Sequence, residues 1–251
     1  MAGNSGLPQP DVTNETMQSD IDLLDEQVDT ANIDVEEYSE TSGLCRLPIR
    51  SLANCSRFNK QLTEKALSLA SRYTHWKKAR GDGNCYYRSV AIGYLEYLCR
   101  NSTPPSLFFD FYMKVYEQRE VIIPDQLGGY YKQFFRPFKQ IYAAKKAGQG
   151  LVGLQSYLQD PDFDLGAISV FRCLALYSFS LLKDHPDYSP FLIEGTAEGI
   201  EEDIVTMGKE AEGLIFQAMA NALNAKIVHI TLSSGAACRD DCFTALTPDR
   251  R

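Results

Sequence analysis

The sequence predicts an α+β fold, a small β-sheet beside a large helical arm. Three observations predict it. Apolar residues recur at helical spacing through most of the chain from Asn59 to Leu223. Strand signals gather near the C-terminus, where Lys226–Leu232 is β-branched and Cys242–Leu246 is a second, weaker candidate. A glycine-bearing loop, Ala79-Arg80-Gly81-Asp82-Gly83-Asn84, delivers Cys85 to the start of a long apolar segment ending at Cys99.

The N-terminal stretch is of another kind. Residues 1–45 hold eleven acids, from Asp11 to Glu40, and no Lys or Arg. That stretch carries −11 and the remaining chain +3, for a net −8 over 251 residues. Such a segment buries too little apolar surface to offset its ordering entropy, so 1–45 is expected to be a disordered, solvating tail. The alternative is an acidic docking arm, with Ile21, Leu23, Leu24 and Val28 on one face of a short helix laid on a partner. The folded domain is expected over 46–251. A hydrophobic fraction of 44% allows a substantial core there.

Several function classes are disfavoured. The acidic balance and the lack of a basic stripe argue against nucleic acid. No run of about 18 apolar residues suggests a membrane span, and Met1–Gly6 lacks the regions of a signal peptide. The seven cysteines form no paired framework, and Cys238-x3-Cys242 has no second pair or His at a useful spacing, so no metal site is expected. An odd number of scattered thiols fits a reducing cytoplasm or nucleus. No glycine pattern cradles phosphate and no cofactor is implied.

In chain order, Asn59–Thr74 reads as a helix with Leu62, Ala66, Leu69 and Tyr73 on one face. His75, Trp76 and Lys77-Lys78 lead into the loop. In the next helix Val90, Tyr94, Leu95 and Leu98 recur, which puts Cys85 at or near a helix N-terminus. Unpaired N–H groups and partial positive charge there stabilise a thiolate. The backbone N–H groups of Asp82, Gly83, Asn84 and Cys85 can face a developing oxyanion. Asn101-Ser-Thr-Pro-Pro105 is a break. Leu107–Ile123 is helical in period. Pro124-Asp125 then opens a helix through Tyr130, Phe134, Phe138 and Tyr142 to Lys146, bent at Pro137. Leu151–Leu158 is short and apolar. Asp160-Pro161 caps Leu165–Leu182, which is apolar nearly all round and so belongs in the core. The aromatic faces read as packing. Leu214–Leu223 is an amphipathic helix closed by Asn224.

Asp82-Gly83-Asn84-Cys85, followed by Tyr86, Tyr87 and Arg88, resembles the signature of the ovarian-tumour (OTU) cysteine proteases, most of all the otubain branch. The resemblance runs on through Tyr188-Ser-Pro-Phe-Leu-Ile-Glu194-Gly195, an acidic segment from Ile200 to Glu210, and Ile215–Leu223, spanning roughly Gln61 to Leu232. It implies a papain-like OTU fold and hydrolysis of ubiquitin conjugates, with Cys85 as nucleophile. Asp82 would be catalytic with it, shaping the loop and supporting charge near the thiol, and the Asp82–Cys85 backbone would form the oxyanion hole. The implied partners are ubiquitin, polyubiquitin and ubiquitin-conjugating enzymes, without nucleic acid, membrane or cofactor. Such a protease needs a His to take and return the proton, and the family places it near the C-terminus in a Gly-His-Tyr-Asp-like segment. This sequence has only His75, His185 and His229, none in such a segment. His185 stands in a helix-end loop and His229 within the strand. The expectation is therefore an otubain-like domain with incomplete C-terminal strands and feeble turnover. Two alternatives stand beside it. One is a binder of the same fold that represses ubiquitin transfer by occupancy. The other is a structural interaction domain in which Cys85 is inert.

Overall fold

A computed structural model of the chain describes residues 46–118, 123–192, 195–232 and 239–246. All lie in the compact unit Glu36–Arg251. The expectations for the tail at 1–45, and for Cys238, fall outside the described residues.

The described part opens on a short strand pair that local propensity does not announce. β1 (Leu47–Pro48) pairs antiparallel with β2 (His75–Trp76), Leu47 opposite Trp76. Between them lie a 3-10 segment, Ile49–Ser56, and α1 (Lys60–Ser68). Asn59 caps α1 by accepting the Leu62 N–H at 3.2 Å. This helix stops short of Thr74 and tightens into one 3-10 turn, Leu69–Ser71. The hydroxyls of Ser68 and Ser71 donate to the carbonyls of Lys65 and Ser68 there, a local competitor to the helical ladder.

α2 (Cys85–Cys99) and α3 (Pro105–Gln118) follow, with Pro105 at a first helical position where its missing N–H is harmless. The expected single helix from Asp125 to Lys146 is instead two, α4 (Asp125–Tyr131) and α5 (Phe135–Lys146), joined by a 3-10 turn at Lys132–Phe134. Pro137 therefore does not bend a helix. It is the third residue of α5, in the first turn, where its lack of an N–H removes no hydrogen bond within the helix. The tighter turn also changes which face is buried. Tyr131, not Tyr130, enters the core and donates its hydroxyl to the Val115 carbonyl at 2.6 Å.

α6 (Gly150–Gln155) is short. α7 (Pro161–Leu182) begins as its caps predict, with the Asp160 carboxylate accepting the Asp162 N–H at 2.9 Å and Pro161 at the first position. By length and a mean hydropathy of 1.7 this helix could cross a membrane, so the sequence reading of no such run was too coarse. Within the fold 72% of that apolar window is buried by protein, against α2, α3, α4, α8 and α9. Its apolarity is thus accounted for by packing on all sides. Gly166 lets the 3-10 turn approach, since a Cβ there would stand 2.8 Å from the Phe134 nitrogen. The arm's aromatics pack ring on ring: Phe108 on Phe138 at 4.5 Å, Phe138 on Phe134 at 4.8 Å, and Phe111 on Phe171 at 5.8 Å. Each fully buried Phe contributes about 1.5–3 kcal/mol.

α8 (Thr196–Val205) and α9 (Leu214–Leu223) complete the helices, and α9 ends on Asn224 in the left-handed region at φ 48°. β3 (Ile227–Thr231) pairs antiparallel with β4 (Arg239–Phe243), placing Ile227 opposite Phe243 and His229 opposite Asp241. β4 starts earlier than the expected Cys242. Its first three residues are charged and carry no strand propensity, so pairing with β3 sets its register.

Candidate active site

Cys85 is the first residue of α2, and its free thiol side chain is half-buried. The helix's unpaired N–H groups and positive dipole end lie at that sulfur's position in the chain. Asn84 is the N-cap residue, yet its side chain does not cap. Its Oδ1 turns inward and accepts from Arg172 Nη2 at 2.8 Å and from the Gly208 N–H at 2.9 Å. Asp82 serves the turn instead, its Oδ1 accepting the Asn84 N–H at 3.1 Å. Of the four loop N–H groups expected to face an oxyanion, that of Asn84 is therefore already engaged.

Asp82 is held on its other side as well. Arg88, one turn into α2 and buried, donates Nη1 to Asp82 Oδ1 at 2.8 Å and Nη2 to Asp82 Oδ2 at 2.7 Å. The same guanidinium donates Nε and Nη2 to Asp164 on α7, at 2.8 and 2.9 Å. Arg80 adds a third link, Nη2 to Asp164 Oδ2 at 2.9 Å. Two carboxylates thus face two guanidiniums, in the planar fork geometry that suits Arg and not Lys. The Arg88 hydrogen bonds hold the Asp82 carboxyl below the usual carboxylate range; burial opposes this and the Asn84 N–H assists. Burial works against the charge on Arg88, and the bonds to Asp82 and Asp164 outweigh it, so its pKa is raised.

The loop's third constraint is steric. Gly83 has φ +73°, and a Cβ there would lie 1.7 Å from the Gly208 carbonyl oxygen. Gly208, itself at φ +83°, faces the Asp82 carbonyl in turn. Behind this contact lies Arg172 of α7, fully buried, with its guanidinium carbon 4.0 Å from the centre of the Tyr87 ring.

The model of the peptidase C65 otubain family matches residues 35–246. The chain belongs to the otubain family. This otubain is 31% identical over 169 residues to the ubiquitin thioesterase otubain-like protein of Caenorhabditis briggsae, covering 65% of this chain and 57% of that one. It thus spans little more than half the length of that relative. It is 24% identical to the protein of the same description from Caenorhabditis elegans, covering 83% of this chain and 73% of that one. It is 22% identical to the ubiquitin thioesterase OTUB2 of Mus musculus, covering 66% and 70%. Its fold resembles the solved complex of h/ceOTUB1, ubiquitin aldehyde and UBC13~Ub at a TM-score of 0.62 and 18% identity, over 94% of this chain and 90% of that one. A ceOTUB1 complex with ubiquitin aldehyde and UBC13~Ub gives 0.58 and 20%, over 77% and 79%. The resemblance carried by Asp82–Arg88 is therefore a family relationship, and the α+β OTU fold holds.

The histidines of this otubain are dispersed. His75 lies in β2, its Nδ1 2.9 Å from Thr74 Oγ1. His185 accepts the Asp187 N–H at 3.2 Å in the turn after α7. His229, half-buried in β3, packs its ring on Phe216 at 4.7 Å, and Phe216 packs in turn on Tyr86 at 4.8 Å. Phe216 thus touches both that imidazole and the residue next to Cys85. Among the described residues no group of three or more His, Cys, Asp or Glu is gathered as a metal site. Sequence reasoning missed Asp164, Arg172 and Gly208. A signal existed for one of them, because Arg172 is the lone basic residue of the helix and stands in its most apolar stretch.

Proposed function

We propose that this chain is a deubiquitinating cysteine peptidase that cleaves the bond joining the ubiquitin C-terminus to its target, with Cys85 as nucleophile. One observation carries the proposal: the sulfur stands at the first residue of a 15-residue helix, behind a loop held by buried hydrogen-bonded charge. A thiolate there adds to the carbonyl carbon of the scissile amide, and the carbonyl oxygen becomes an oxyanion beside the Cys85 N–H. The C–N bond then breaks, the leaving nitrogen takes a proton from solvent water and departs as the amine, and a thioester remains. Water attacks the thioester, returning a carboxylate and the thiol. Asp82 acts on the loop, not on substrate, because its carboxylate is saturated by Arg88 and the Asn84 N–H. The related proteins' complexes with ubiquitin aldehyde and UBC13~Ub support ubiquitin and ubiquitin-conjugating enzymes as partners. Free thiols at Cys55, Cys85, Cys99, Cys173 and Cys242 support a reducing compartment, cytoplasm or nucleus.

A second reading is favoured by the packing of Phe216 on both Tyr86 and His229. In it the chain binds ubiquitin and a conjugating enzyme without turnover, for want of an imidazole at the sulfur. Ubiquitin vinyl methyl ester, followed by a diubiquitin cleavage assay, separates the two. The peptidase reading expects covalent labelling that C85S abolishes, and cleavage of diubiquitin. Labelling or tight binding without cleavage selects the binder. Absence of both labelling and ubiquitin binding overturns both.

A further inference from the structure

Arg172 is a fully buried cation whose hydrogen-bond acceptors among the described residues are carbonyl and amide oxygens, with no carboxylate. Its Nη1 donates to the carbonyls of Asp203 and Ile204 at 3.2 and 2.8 Å. Its Nη2 donates to Asn84 Oδ1 at 2.8 Å, to the Lys209 carbonyl at 2.7 Å and to the Gly83 carbonyl at 3.4 Å. Its Nε has no partner among the described residues. The nearby acids are committed elsewhere, Asp82 to Arg88 and Asp203 to Lys209 at 3.4 Å. An ion buried without a counter-ion is strongly unfavourable, and an apolar side chain of similar volume commonly packs a helix interior at least as stably. Packing alone therefore does not account for an arginine at this position.

The partners suggest what does. Two of the five acceptors belong to Gly83 and Asn84, the residues immediately before Cys85. The other three belong to the C-terminal end of α8 and the turn after it. We infer that Arg172 is the positioning residue of the Cys85 site, tying the nucleophile loop, through the Gly83 carbonyl and Asn84 Oδ1, to the end of α8 and the turn after it. The inference rests on the peptidase reading for its purpose but not for its test. A lysine at 172 keeps the charge and loses the planar fork that spans both segments. A glutamine loses the charge. The other charged or titratable groups around the loop include Arg80, Asp82, Arg88 and Asp164 in their cluster, Asp203 with Lys209, the hydroxyls of Tyr86 and Tyr87, and the His229 ring packed on Phe216.

The experiment is iodoacetamide alkylation of Cys85 in the full chain, quantified on its own peptide, as a function of pH. Wild type, R172K and R172Q are compared, with ubiquitin vinyl methyl ester labelling and thermal melting alongside. R172Q is expected to slow Cys85 alkylation and ubiquitin-electrophile labelling near neutrality about tenfold, because the loop that carries the sulfur is no longer held. R172K, which keeps the charge but loses the planar fork, is expected to slow both reactions as well, by less than R172Q. Should the Arg172 variants not fold, N84A tests the same link from the other side, and slowed Cys85 alkylation is expected. A folded R172Q that is alkylated at the wild-type rate overturns the inference, as does an unchanged N84A. If wild type fails to label with the ubiquitin electrophile, the peptidase reading falls, while the alkylation comparison still decides the role of Arg172.

Discussion

Substitution of Gly83 by alanine probes the loop most directly. The new methyl carbon would lie 1.7 Å from the Gly208 oxygen and 2.3 Å from its carbonyl carbon. Both are backbone atoms, so no rotamer change relieves the contact. The residue would also have to remain at φ +73°, which costs a non-glycine residue about 1–2 kcal/mol. Separating the two strands of chain breaks the 2.9 Å bond from the Gly208 N–H to Asn84 Oδ1 and lengthens the 3.4 Å bond from Arg172 to the Gly83 carbonyl. Losing a neutral hydrogen bond costs about 1 kcal/mol and weakening a charged one about as much. The sum is about 3–4 kcal/mol, a large part of a typical domain's stability. For a domain of this size the melting temperature falls by about 10 °C. Differential scanning calorimetry of the full chain measures it. G81A is the control, because nothing lies within 4 Å of a Cβ at that glycine, and its effect is expected within about 0.5 kcal/mol. If G83A melts with wild type and G81A, the loop is not pressed against Gly208 and the account of how Cys85 is held is wrong.

Two further outcomes are expected. The Arg88 hydrogen bonds keep the folded-state pKa of Asp82 below its ordinary value, so its contribution is complete above about pH 4 and is lost as pH falls through the folded-state value. D82N accordingly flattens the acid limb of a melting-temperature profile, and equal limbs in the two proteins refute the clamp. Burial pushes the thiols of Cys99 and Cys173 up to about 12. Near pH 8 the native chain is then alkylated at Cys55, Cys85 and Cys242 but not at Cys99 or Cys173 until urea is added; peptide mass spectrometry that finds either buried thiol modified first contradicts their placement in the core.

Much of this molecule is local in origin and was legible as such. The largely apolar run of Pro161–Leu182 marks a helix to be buried, and Asp160-Pro161 marks where it starts. Asn224 ends α9 because its short polar side chain tolerates the left-handed turn. The position of Cys85 at a helix start followed from the glycines before it and the apolar period after it. Expectations went astray where a neighbour overrode local preference. The 3-10 turn at Lys132–Phe134 fits against the small face at Gly166, and β4 takes its register from β3 through residues that do not favour strands.

Residue order thus determined, without any coordinates, that Cys85 opens a helix behind a glycine-bearing loop. Only the tertiary structure decided how that sulfur is held. Asp164 lies 76 residues from Arg88, Arg172 lies 88 from Asn84, and Gly208 lies 124 from Asn84. Contacts at such separations leave no periodic trace in a sequence, because hydrogen bonds of this kind depend on where folded elements meet and not on what adjoins them along the chain.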